Sequence, residues 1–267
     1  MAFDSYTIYA MYLLTISILL TICATLLSGL LTVAVDSSAL YFQYPELYPI
    51  GFFVWALGNL LYLVPTLIII RSSATIRHLL AQMGDSESKQ LYVIPLIGTL
   101  LVALPGIDSG NIFMTSTLRC FLLVISCLAG ALYQEVLFRG VIQSLLLARG
   151  AIGSTLLTAL FFSLWHIGRY VQGTGHPLLV IINVLWTLVW GIGASALRIR
   201  STTLVPLVLL HTLHNILDAL VYTDIHRSWV ASLSFEVRWG IFLMPSVLMG
   251  SYGIWLLRYH MKIRHTQ

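Results

Sequence analysis

The segment Tyr9–Val35 runs without one charged side chain, and it is the first of several such runs. A helix needs about 20 apolar residues to cross a hydrocarbon core of about 30 Å. Repeated runs of that length dictate a chain that folds in lipid. Composition agrees. The 267 residues hold 14 Lys and Arg and 10 Asp and Glu, so 9% are charged and 58% hydrophobic, where a typical soluble domain is about 25% charged. So few polar side chains cannot cover a water-facing surface. A soluble globular enzyme, a disordered chain and a nucleic-acid binder are all excluded. Cys23, Cys120 and Cys127 lie in apolar runs and read as small buried hydrophobes, with no disulfide framework or zinc-ligand spacing.

Eight apolar segments are expected as spans: Tyr9–Val35, Tyr48–Ile70, Leu91–Leu104, Cys120–Leu147, Ile152–Ile167, Leu178–Leu197, Leu204–Val221 and Ile241–Leu257. The third is short and flanks Pro95 and Pro105, so a re-entrant segment is its alternative. The expected fold is therefore all-α, a polytopic transmembrane helical bundle of about eight spans. Residues 1–267 read as a single integral membrane domain, with no soluble domain, low-complexity tract or internal repeat. The first run is too long, and lacks an A-x-A-like cleavage site, for a cleaved signal peptide. With eight spans, Arg71, Arg77, Lys89, Arg149, Arg198, Arg200, Arg258, Lys262 and Arg264 fall on one side. Arg119, Arg169, Arg227 and Arg238 fall on the other. The positive-inside rule then puts both termini in the cytoplasm. The short chain suggests a prokaryotic plasma membrane.

Ionisable side chains inside spans are costly and by default mark function. The fourth span carries Gln134, Glu135 and Arg139; Glu135 and Arg139 are four apart and share a helix face. A buried ion pair that cements the bundle is the plain alternative. The fifth span ends on Phe162 and His166. The seventh carries His211, His214, Asn215 and Asp218. A rise of about 1.5 Å per residue puts Glu135, His166 and Asn215 each roughly 18–20 Å from one membrane face. Three helices thus bring polar groups to a common depth. A carboxylate or imidazole can take a proton from water, and an amide or imidazolium N–H can hold an oxyanion. Hydrolysis suits this set. Metal binding is the rival, with His166, His211 and Glu135 as weak candidates for a zinc site, although no H-E-x-x-H is present. No metal and no other cofactor is expected.

Gln134-Glu135-x-x-x-Arg139, Phe162-x-x-x-His166 and His211-x-x-x-Asn215, in that order and each in a span, resemble the CPBP family of intramembrane proteases. That family includes the endoprotease that trims prenylated CAAX proteins. The resemblance covers residues 120–222, the expected family core. It implies that His166 acts with a glutamate to activate water, and that His211 and Asn215 form the oxyanion hole. The family's first glutamate is Gln134 here, and an amide cannot act as a base. Glu135 lies about 100° around an α-helix from Gln134, so it faces elsewhere unless the helix distorts. Three explanations stay open: Glu135 supplies the base in a variant site, the protein is a non-cleaving homologue acting as a membrane adaptor, or Glu→Gln has inactivated the chain. The resemblance implies a membrane-associated protein or peptide as partner and substrate. A small proton-coupled transporter is the remaining class. Asp218, two turns from His211, is either a hydrogen-bond partner that orients it or a solvated residue. Gly150, Gly153, Gly191 and Gly193 read as sites of close helix packing.

Overall fold

The computed structural model describes residues 89–101, 117–167, 177–222 and 232–266, with scattered positions between 57 and 78. The expected span Tyr9–Val35, most of Tyr48–Ile70 and Cys23 lie outside the described residues. A 3-10 turn, Lys89–Tyr92, leads into α1 (Val93–Leu101). Helix α2 (Thr117–Gln134) runs directly into a π-helical segment (Glu135–Ile142) and then α3 (Gln143–Leu146). A 3-10 turn, Leu147–Arg149, joins this to α4 (Gly150–Trp165). Helices α5 (Pro177–Arg200), α6 (Val205–Tyr222) and α7 (Phe235–Thr266) complete the bundle. No strand occurs among the described residues.

Two helical stretches of the described residues are long and apolar enough to cross a membrane, Cys120–Trp165 and Val180–Arg200. The first unites the expected fourth and fifth spans, and it is a hairpin. Tyr133 meets Trp165 with ring centroids 6.2 Å apart, and Phe138 meets Phe162 at 5.2 Å. Those pairs are antiparallel about a point near Gly150. The reversal falls at Gly150 because its φ of +79° costs a side-chain-bearing residue steric strain that glycine escapes. Helix α1 has nine residues, about 13 Å long, so its described part does not cross the core by itself. The expected count of eight is not reached among the described residues.

The outside of the bundle is apolar. Ile152, Leu156, Leu160 and Leu164 form an exposed stripe on α4, while Thr155, Thr158, Ser163 and His166 of the same helix are buried. Leu178, Ile181 and Leu185 are exposed on α5, and Val205 and Leu209 on α6. Water would penalise such a surface, whereas hydrocarbon favours it. Cys120 belongs to this outer face and is exposed, which corrects the expectation that it is buried; Cys127 is buried.

Inside, α5 and α7 pack through glycine. A Cβ on Gly193 would fall 2.4 Å from the Met249 carbonyl oxygen, and one on Gly253 would fall 2.6 Å from Gly193 Cα. Small residues let backbones approach closely where lipid offers no hydrophobic drive. Gly191 does the same against α4, with Ala159 Cα 3.2 Å from where its Cβ would sit. Gly153 contributes nothing of the kind, since a Cβ there would meet only Arg149 of its own turn. Gly150 faces open space and serves backbone conformation instead.

Candidate active site

The π segment begins at Glu135, immediately after the Gln134 position. Its winding is visible at the far end, where the Gln143 N–H donates to the Phe138 carbonyl, five residues back. A π turn adds a residue to the helix and shifts the register of side chains beyond it. Glu135 is fully buried, and Gln134, the residue before it, is buried at 7% exposure.

Glu135 Oε1 accepts from Arg139 Nη1 at 3.2 Å and from His211 Nδ1 at 2.7 Å. Arg139 follows Glu135 by four residues and is fully buried. Its guanidinium carbon lies 4.1 Å from the Phe162 ring centroid and 5.4 Å from that of Trp190. Cation–π contacts of this kind contribute about 0.5–2 kcal/mol, which offsets part of the cost of burying the ion. Phe162 also packs edge-on against His166 at 4.5 Å and His211 at 6.0 Å. The first, second and third blocks thus meet around one ring.

The hydrogen bonds fix tautomers. His166 Nδ1 lies 2.7 Å from the Phe162 carbonyl, which only accepts, so Nδ1 carries the proton. His211 Nδ1 faces a carboxylate and carries its proton likewise. In both neutral rings Nε2 is then the acceptor. The neutral His211 is thereby suited to take a proton from water, and it becomes an N–H donor at Nε2 only once it has done so. Glu135 occupies His211 Nδ1, where the alternative partner Asp218 would have bonded; Asp218 is half-buried further along α6. Asn215, one turn after His211, is half-buried on the same helix.

Helix α5 adds a residue that sequence reading treated as packing. Trp190 is buried, stacks on Phe162 at 5.8 Å, and lies 4.7 Å from His211 and 5.9 Å from His214. Nothing local marks it, because tryptophan in an apolar helix reads as core or interface. Several buried polar atoms around the cluster make no hydrogen bond to protein: Gln134 Oε1, Glu135 Oε2, Arg139 Nε and Nη2, and His214 Nδ1. Native interiors leave such atoms unpaired only where water, a ligand or function satisfies them. Among the described residues no three His, Cys, Asp or Glu side chains are grouped to hold a metal ion.

The fold and site define a helical bundle with a lipid-facing exterior and a buried carboxylate–imidazole–guanidinium cluster. Residues 116–217 match the model of a protein family described as type II CAAX prenyl endopeptidase, Rce1-like. The match covers all three blocks and agrees with the CPBP resemblance, whose members are integral membrane proteins. No curated protein and no solved structure matches the chain.

Proposed function

We propose that the protein is an intramembrane endopeptidase that hydrolyses a peptide bond of a membrane-associated protein or peptide. The observation that carries this reading is the 2.7 Å bond from His211 Nδ1 to Glu135. A carboxylate that holds an imidazole by one nitrogen aims the other and raises its basicity. In the proposed reaction His211 Nε2, or Glu135 Oε2, takes a proton from water. The water oxygen forms a bond to the scissile carbonyl carbon, and the carbonyl π electrons move to oxygen. Asn215 and a protonated imidazole donate to that oxyanion. The C–N bond then breaks, the amine nitrogen takes the proton back, and a carboxylic acid and an amine leave. His166, whose free-tautomer nitrogen is also an acceptor, serves as a second base near the same ring. Arg139 holds the Glu135 carboxylate in place through the 3.2 Å contact.

This arrangement gives His211 a base role, where the family resemblance implies an oxyanion donor. Glu135 compensates for Gln134 by holding His211 rather than by standing in its place. A second reading is a catalytically impaired homologue that acts as a membrane adaptor. One observation favours it: Oε1 of Glu135 is shared between Arg139 and His211, as in a purely structural buried network. Cleavage of lipid-anchored peptides in proteoliposomes by the wild type, Glu135→Ala and His166→Ala separates the two. The peptidase reading expects cleavage by the wild type and loss in both variants. An adaptor expects no cleavage and an unchanged cellular phenotype in both.

A further inference from the structure

Beyond Arg139, toward the Arg198–Arg200 end of α5, the interior remains polar although the proposed chemistry uses none of it. Glu135, Arg139 and Gln143 follow one another at intervals of four, and all three are fully buried. Gln143 Nε2 donates to the Ser195 carbonyl at 2.7 Å, which ties this stripe to α5. Antiparallel α4 and α5 touch at Ala159 and Gly191, so one turn further on Thr155 and Ser195 stand at one level. Thr158 lies between that level and the Phe138–Phe162 contact.

Thr155, Thr158, Ser195 and Gln143 are each 0% exposed. Thr155 Oγ1, Thr158 Oγ1, Ser195 Oγ and Gln143 Oε1 make no hydrogen bond to protein, nor do Arg139 Nε and Nη2. Hydroxyls in helices ordinarily satisfy themselves on a preceding carbonyl. Ser144 does so on Gly140 and Thr212 on Val208. Thr155 and Thr158 do not. Each buried, unpaired polar group costs about 1–3 kcal/mol, and three hydroxyls, an amide oxygen and half a guanidinium share one region here. A water that meets 2–4 polar partners removes that cost.

We propose that Gln143, Thr155, Thr158 and Ser195 form a buried water site that hydrates the far side of Arg139. Resting on the peptidase reading, the site supplies water to the Glu135–His211 couple from the basic end of the bundle. The test is cysteine accessibility in the full chain with Cys23→Ala and Cys120→Ala. Cys127, 1% exposed on α2, stays as the dry reference within each molecule. Ser195→Cys and Thr158→Cys are introduced separately and challenged with silver(I), a cation of about water size, and with a bulky cationic methanethiosulfonate. Peptide mass spectrometry reads each site. The water site predicts silver reaction at both new cysteines at least about tenfold faster than at Cys127, with the bulky reagent reaching neither. Rates equal to that of Cys127 overturn it, as does equal access for the bulky reagent. A rise in Cys127 reactivity exposes an unfolded variant, and the other variant then decides. In the enzyme, Thr155→Val with Thr158→Val lowers kcat several-fold at constant KM. Silver access in a protein that cleaves nothing keeps the water site and removes the peptidase reading.

Discussion

Between α5 and α7 the helices meet backbone to backbone, Gly193 against Met249 and Gly253. Between the π segment, α4 and α6 they meet through Glu135, Arg139, Phe162 and His211. Both contacts lie in one bundle within one apolar shell, yet only the second is built on buried ionisable side chains. The glycine contact is what helix association in lipid requires, and it rewards nothing but fit. The polar contact is costly in the same medium. A chain with 10 acidic residues in 267 that buries one of them completely, against an arginine and a histidine, spends stability where packing alone would not.

The largest expected effect comes from breaking the polar contact on one side. Glu135→Ala leaves Arg139 buried without its carboxylate and is expected to lower stability by about 3–5 kcal/mol, read as a drop in melting temperature in detergent. It is also expected to lower kcat by at least about a hundredfold. Replacing both partners sharpens the contrast. Glu135→Met with Arg139→Met restores most of the stability, because an apolar pair fits the same space, but leaves cleavage lost. If the double variant recovered cleavage, the polar contact would be packing like the other.

Gly193→Val attacks the dry contact. A Cβ there has no room against the Met249 backbone, and overpacking of this kind costs about 1–3 kcal/mol. The expected loss of activity follows the loss of folded protein, and activity per folded molecule stays near the wild-type value. Trp190→Leu lies at the boundary, since Trp190 stacks on Phe162 and meets the His211 ring at a tilt. Loss of about 1 kcal/mol of ring contact is expected to lower kcat about five- to tenfold with a melting shift of only a few degrees. The smallest effect belongs to Gly150→Ala in the hairpin turn. It costs about 1–2 kcal/mol through positive φ and leaves kcat unchanged.

The sequence carried the three blocks because spacings of four keep side chains on one helix face, whatever the partner helix does. It also carried the Glu135–Arg139 pair and the apolar exterior. The pairing of Glu135 with His211 was not legible, because it depends on how α6 packs against this helix, which spacing within either helix does not announce. Trp190, Gln143, Thr155, Thr158 and Ser195 were not singled out. A tryptophan or small hydroxyl residue in an apolar helix ordinarily packs or bonds its own backbone, and only the burial pattern distinguishes these. The break expected between the fourth and fifth spans falls where the hairpin closes at Gly150, so that part of the topology was legible.

The central claim is that Glu135, by holding His211, supplies the proton-accepting function for which Gln134 is chemically unfit. The most direct measurement compares cleavage of one membrane-anchored peptide substrate in proteoliposomes by the wild type, Glu135→Ala and Gln134→Glu. The account predicts cleavage by the wild type and by Gln134→Glu, with at least about a hundredfold loss in Glu135→Ala. An inert wild type, with cleavage appearing only in Gln134→Glu, would contradict it.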